Sequence, residues 1–380
     1  MALVHPTLPP STTSPSEPYD LPPSFPSSIS SPLAWTGADL ADESYIYHLT
    51  PAYLSEIKYA LAVFKSHNLN GDLATPATFP LPTLGPKLRL LSNELYGGRG
   101  VCLIRGLTPE MYEPEEEMVV FMGVQSYMAR GKGRQDGRGN MIVHITPSEY
   151  DAKHSRHSMD SLPFHTEATG DILAWQTRAA AAEGGKFIVA SAYTAYNLLA
   201  ATCPEVIHTL AKPDWPFAYP TLHHRRILYY HASNLLINFS PSALLSTPSH
   251  PRAPHLPSLT PSQLSALNAL QAVARATELH ITTKAGDLHF VNNLAIMHRR
   301  SAFSASTTKA VGEVDGGMEG GEIEPKRHLV RMRLRCPEKG WEIPRELAPA
   351  WEEAFGEEGE REWHLFPMPE GYFPLRKYPE

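Results

Sequence analysis

The chain has 380 residues, 42% of them hydrophobic, and a formal net charge of −7 with a pI near 6.2. That balance argues against nucleic acid as the main partner, and no apolar run approaches the roughly 18 residues that a membrane span requires. The length allows one large domain with appended segments, or two domains.

Taken in order, residues 1–33 are dominated by Pro and Ser and read as a disordered or loosely draped arm ahead of a domain over 34–380. The arm lacks a basic segment followed by an apolar one, so it is not a secretory signal. Ile57, Leu61 and Phe64 predict a helix over 55–67, and a second is expected over 87–96, stopped by Gly97-Gly98. Residues 101–105 (VCLIR) read as a buried strand, and 114–128 as a helix whose Glu115, Glu116 and Glu117 form a solvated first turn. The loop 130–140 (RGKGRQDGRGN) has no Walker spacing. It is either a plain exposed turn or a flap that contributes Gln135 or Asp136 to a site.

Strands are expected over 141–145, 171–178 and 186–191, the last two joined through a Gly184-Gly185 turn. A short helical pair follows over 194–201 and 204–210, then a hairpin turning at Ala232-Ser233-Asn234. Thr260, followed by Pro261, caps a helix reaching to about residue 279, with Leu264, Leu267, Leu270 and Val273 on its core stripe. A strand starts at Gly286, a Gly/Glu-rich insertion at 304–324 is expected to be mobile, and 328–335 (HLVRMRLR) alternates as a strand. Cys102, Cys203 and Cys336 are far apart, odd in number and without a CxxC, which fits reduced thiols in a cytoplasmic protein. Many short strands with few long helices predict a mainly β, α+β molecule: a sandwich or jelly roll with helices packed outside.

The chemistry gathers at PFHTEATGDILAWQ, residues 163–176. On an extended segment His165 and Glu167 point the same way, because side chains alternate faces, and can share one metal ion. His298, in FVNNLAIMHRRSAF, is the candidate for a third ligand. Two histidines and a carboxylate on one face of an octahedral ion leave positions open, as in non-haem Fe(II) oxygenases. A co-substrate diacid such as 2-oxoglutarate needs a cation for its far carboxylate. Arg327 and Arg331 lie four apart and suit that role, unless they are solvated on an edge strand.

The stretches FHTEATGDILAWQTRAAAAEGG, DLHFVNNLAIMHRRSAF and RHLVRMRL occur in the order found in the TauD/TfdA branch of the Fe(II)/2-oxoglutarate oxygenases. Over about residues 101–335 the chain resembles that branch, also called clavaminate synthase-like. The resemblance implies a double-stranded β-helix (jelly roll) core and Fe(II) held by His165, Glu167 and His298. It places the far carboxylate of 2-oxoglutarate on Arg327, and the near carboxylate or a substrate anion on Arg331. It further implies use of O2, release of succinate and CO2, and oxidation of a small molecule by hydroxylation, desaturation or ring closure. An amino acid or another small polar substrate, an anionic one included, fits.

The chain departs from the family in three places. Glu167 stands where most members have Asp, Phe187 stands where many place a hydroxyl for 2-oxoglutarate, and the insertion lengthens the gap before Arg327. Arg333 and Arg335 are expected to face solvent or acidic loops. Two rival readings are a jelly-roll binding module without catalysis and a Zn-dependent cupin-like hydrolase.

Overall fold

A computed structural model of the chain describes residues 20–147, 158–181, 183–218, 221–246, 252–304 and 327–364. Beyond Ser304 the predicted insertion lies outside the described residues.

The N-terminal half builds one wall. After strand β1 (Ile46–His48), the Thr50 hydroxyl accepts from the Tyr53 N–H and Pro51 takes the first helical position. Helix α1 (Pro51–Ser66) therefore starts a turn earlier than its apolar spacing predicts. It buries Ile57, Ala60, Leu61 and Phe64. Helix α2 (Leu84–Gly97), strand β2 (Val101–Arg105) and helix α3 (Pro114–Gln125) follow. Glu117 departs from the solvated turn expected of α3. It is 6% exposed, and its carboxylate meets Arg178 at 3.1 Å and the Gln176 amide at 3.0 Å.

The next strands are β3 (Gly131–Gly133), β4 (Val143–Ile145), β5 (Leu162–His165), β6 (Ile172–Ala179), β7 (Glu183–Gly184) and β8 (Phe187–Ser191). Helices α4 (Ala192–Thr202) and α5 (Pro204–Leu210) form the expected pair. Strands β9 (Trp215–Phe217) and β10 (His223–Arg225) make one small hairpin. Strands β11 (Leu228–His231) and β12 (Asn234–Ile237) make the predicted one, turning where Ala232 and Ser233 take φ of 44° and 63°. After the one-turn helix α6 (Pro241–Leu244) comes α7 (Pro261–Ala276), capped by Thr260 and Gln263 in a reciprocal box. Its buried face is Gln263, Ala266, Leu267, Leu270 and Ala274, while Leu264 is 43% exposed, so the stripe is rotated from the one predicted. The chain continues through β13 (Leu279–Ile281), β14 (Leu288–Asn292), β15 (Ile296–Arg300), β16 (Phe303–Ser304), β17 (His328–Arg335) and helix α8 (Ala348–Phe355).

Two sheets carry the molecule. The larger runs β1-β2-β14-β6-β17-β3, with β4 also on β17, and the smaller runs β13-β8-β15-β5. Every pairing in them is antiparallel except β1 with β2. Strands β6 and β8 therefore do not form a hairpin. The chain leaves one sheet after Ala179 and enters the other at Phe187, with Gly184 and Gly185 at φ of 75° and 62° making the crossing. Trp175 of the larger sheet meets Phe187 of the smaller edge-on at 4.4 Å, so the two inner faces are in contact. Helices α2 and α3 pack with the first sheet's wall and α4 and α7 with the second.

The N-terminal arm is packed from Asp20 onward rather than loose. Leu33 is buried, Leu21, Phe25 and Ile29 lie against the core, and Asn197 exchanges hydrogen bonds with Ile29. Short proline-spaced apolar residues dock on α4 without needing a core of their own. No helix among the described residues is long and apolar enough to cross a membrane.

Candidate metal centre

His165 ends β5 and His298 lies in β15, and the two residues are direct cross-strand partners. Their rings stand 4.3 Å apart. The β5–β15 ladder shifts register between His298 and Arg300, a bulge of the kind that re-aims side chains beside functional sites. Glu167 sits two residues past β5, in a turn fixed at several points. Thr166 exchanges hydrogen bonds with the Phe239 backbone. The Asn293 side chain accepts from Glu167 N at 2.8 Å and donates to Glu167 O at 3.0 Å and Gly170 O at 3.1 Å. Asn238 donates to Glu167 O at 3.1 Å. The result brings one donor atom from each of His165, Glu167 and His298 within 4.8 Å of the others.

Protonation suits coordination. His165 Nδ1 lies 2.9 Å from the Pro163 carbonyl, which can only accept, so Nδ1 carries the proton and Nε2 keeps its lone pair. Burial drives both imidazole pKa values down, that of His298 further because His165 adjoins it, so both rings are neutral near pH 7. Burial alone would raise the Glu167 carboxyl, but Arg331 and Arg333 together hold it well below the usual carboxylate range. His298 Nδ1 is buried with no hydrogen-bond partner among the described residues. An orphaned imidazole nitrogen beside a second neutral ring and an ionised carboxylate is a donor set that fits iron(II).

These groups line a cavity of about 750 Å³. Arg327 and Arg331 both line it. Arg327 lies over the Phe303 ring at 5.1 Å and has no ion-pair partner among the described residues. Burial, and then the Arg300 charge, lowers its pKa to about 9, so it stays a cation. Arg331 hydrogen-bonds Glu167 Oε1, and its other amino group reaches Gln135 Oε1 at 3.4 Å. Arg333 does not face solvent. It donates to Glu167 Oε2 at 2.7 Å and to the Gln135 carbonyl at 3.0 Å. Gln135 is buried on this wall, so the 130–140 segment is part of the site, and its first residues form β3. Phe187 also lines the cavity, its ring 6.2 Å from that of His298. The Thr177 and Thr283 hydroxyls line it too, buried and without hydrogen-bond partners among the described residues. His289, on β14, is structural: it stacks on Trp175 at 4.7 Å. Sequence reading missed the roles of Arg333, Asn238 and Asn293, whose partners lie far away in the chain.

Residues 65–318 match the family described as taurine catabolism dioxygenase TauD, TfdA family. The taurine hydroxylase-like protein SAT17 of Stachybotrys chartarum is 32% identical, over 89% of this chain and 88% of that one. In fold the chain is similar to asparagine oxygenase in complex with Fe(II), 2S,3S-3-hydroxyasparagine and succinate. The TM-score is 0.59 at 15% identity, over 78% of this chain and 98% of that one. It is also similar to the non-haem iron oxygenase OrfP in complex with Fe and alpha-ketoglutaric acid, with TM-score 0.55 and 17% identity over 76% and 93% of the two chains. The donor set, the family and these neighbours agree on iron and 2-oxoglutarate as the cofactors. With a family match over residues 65–318, which takes in strands β5 and β15 with His165 and His298, and a relative 32% identical over 89% of this chain, the chain belongs to the TauD/TfdA family.

Proposed function

We propose that the chain is an Fe(II)- and 2-oxoglutarate-dependent dioxygenase of a small molecule, its two sheets forming a double-stranded β-helix. In this reading His165, Glu167 and His298 hold the iron and Arg327 holds the far carboxylate of 2-oxoglutarate. The observation that carries it is the convergence of the three donors within 4.8 Å, in a cavity also lined by the half-buried Arg327, which has no ion-pair partner among the described residues. Iron bound there supplies oxygen activation coupled to conversion of 2-oxoglutarate to succinate and CO2.

The chain's own part is positional. The Pro163 carbonyl fixes the His165 tautomer, and Asn238 and Asn293 fix the turn that aims Glu167. Arg331 and Arg333 keep that carboxylate ionised while leaving it further lone pairs for a metal. Phe187, Trp175 and Leu173 give the cavity an apolar wall that excludes water. The asparagine oxygenase holding hydroxyasparagine supports an amino acid as substrate. Hydroxylation is the first reaction to test, with desaturation or ring closure as the other outcomes.

The test is an anaerobic titration of Fe(II)-loaded protein with 2-oxoglutarate, following the visible charge-transfer band of the chelate. The band is expected in the wild type and absent in His165→Ala. In Arg327→Ala its midpoint should rise by about 30-fold, the loss of one buried charged contact. Bound iron without a band overturns the reading.

A further inference from the structure

One stretch of the cavity wall is unused by that reading. It is made by Phe217 and Arg225 from the β9–β10 hairpin and by Asn238, Ser240 and Ser242 after β12. Arg225 is 8% exposed. Its guanidinium carbon lies 3.7 Å from the centre of the Phe217 ring. Its Nη1 donates to the carbonyls of Asn238 at 2.8 Å and Arg226 at 3.2 Å. The adjoining Arg226 takes Glu346, but among the described residues no carboxylate pairs with Arg225. Asn238 stands beside it with the complementary defect: its Oδ1 is buried and meets no donor among the described residues. The amide nitrogen of the same side chain holds the Glu167 and Ala168 carbonyls. One residue thus touches both Arg225 and the turn that carries the carboxylate of the metal cluster.

A guanidinium taken out of water without a counter-charge is costly, and a planar oxyanion relieves it by paired hydrogen bonds. The other arginines of the wall have assigned partners. Arg331 and Arg333 face Glu167, Arg299 pairs with Glu278, Arg134 and Arg300 donate to backbone carbonyls, and Arg327 is given to 2-oxoglutarate.

Resting on the oxygenase reading, we propose that Arg225 anchors an anionic group of the substrate (a carboxylate, sulfonate or phosphonate) while Asn238 Oδ1 accepts a hydrogen bond from a donor on the same molecule. The substrate is then an oxyanion carrying a nearby N–H or O–H. Stacked on Phe217 and held by carbonyls, the Arg225 side chain is fixed before the substrate arrives, so little ordering is left to binding.

The test uses the full chain, saturated anaerobically with Fe(II) and 2-oxoglutarate, at constant ionic strength. Methanesulfonate and methylphosphonate are titrated against dimethyl sulfone, a neutral molecule of nearly the same shape. Thermal stabilisation is read in the wild type, Arg225→Gln and Arg225→Lys. The two anions should stabilise the wild type saturably and dimethyl sulfone should not. Arg225→Gln should raise the anion midpoint by about 30-fold or more, and Arg225→Lys, which keeps the charge but neither the planar fork nor the stacking, should fall between the wild type and Arg225→Gln. A wild type that gains no more from the anions than from dimethyl sulfone overturns the proposal, whether or not the variants fold. An anion response unchanged in Arg225→Gln also overturns it. The charge-transfer band of the starting complex reports the oxygenase reading separately. If that band is absent, the oxygenase reading fails, and the anion titration on metal-free protein still decides Arg225.

Discussion

Two histidines behind the cavity make the stability of this protein depend on pH in a way that can be worked from the geometry. His144 on β4 and His328 on β17 face each other, Nδ1 to Nε2, at 2.9 Å, and His144 Nε2 meets the His364 carbonyl at 2.7 Å. The carbonyl can only accept, so His144 is protonated on Nε2 and accepts from His328 at Nδ1. A second proton on His144 would set N–H against N–H. Burial first, then the Arg178 charge and the adjoining ring (His364 beside His144, and His144 beside His328), lowers each pKa to about 3. In the unfolded chain each ring titrates near 6.5. A histidine whose folded pKa is depressed contributes stability that is complete above about pH 6.5 and is lost as pH falls toward the folded value. Between about pH 7 and pH 5 one such ring loses about 2 kcal/mol, and the pair about 4 kcal/mol. Asp171, which burial pushes up to about 6, works in the opposite direction but cancels when variants are compared. Urea midpoints at both pH values for the wild type, His328→Gln and His144→Gln/His328→Gln give the measurement. Glutamine keeps a side-chain N–H donor without titrating. The acid-induced loss should shrink by about 2 kcal/mol in the single variant and about 4 kcal/mol in the double. A wild type that loses no more than the double variant refutes the assignment of two buried neutral rings.

Three further outcomes follow from described contacts. Glu117→Ala leaves the buried Arg178 without its carboxylate and should cost about 3–5 kcal/mol in urea unfolding, whereas Glu117→Leu with Arg178→Met should recover most of that. Asn293→Ala removes three hydrogen bonds from the Glu167 turn, and Mn(II) binding followed by electron paramagnetic resonance should weaken about 10- to 100-fold. Arg333→Leu leaves Arg331 as the single cation on Glu167. About tenfold weaker Mn(II) binding is expected, and unchanged affinity would show that Arg333 does not orient the ligand.

What could be read from the chain followed the range of the physics involved. His165 and Glu167 share a face because a two-residue period is local, and strand β2 was legible because four apolar residues in a row need no partner to declare themselves. His298 needed more. Its place after a strand made it a candidate, but nothing near it indicates that it will pair with a residue 133 positions earlier, and the family likeness strengthened that link. The alternation of HLVRMRLR put Arg331 and Arg333 on one face, but whether that face meets solvent or a cavity depends on the opposite sheet. Arg333 was misplaced for that reason. Glu117 was misread similarly, since its partner Arg178 comes from a strand 61 residues away. Gly184-Gly185 has the composition of a hairpin turn, yet sheet order assigns it a crossing between layers. Leu264 fits an apolar stripe by spacing alone, and the packing of α7 selects the neighbouring face.

The division of the centre between two sheets bears on how such a protein tolerates change. Both histidines belong to the smaller sheet, and Arg331 and Arg333 to the larger. Each half is positioned by its own ladder, so the number of residues joining β15 to β17 is a free variable. The entropy of closing a loop rises only slowly with its length. Spacing along the chain between the second histidine and the arginines is therefore a poor guide to kinship or activity in this architecture. Register within each sheet is a good one. A single-residue slip of β5 against β15, by contrast, would turn His165 away from His298 at once.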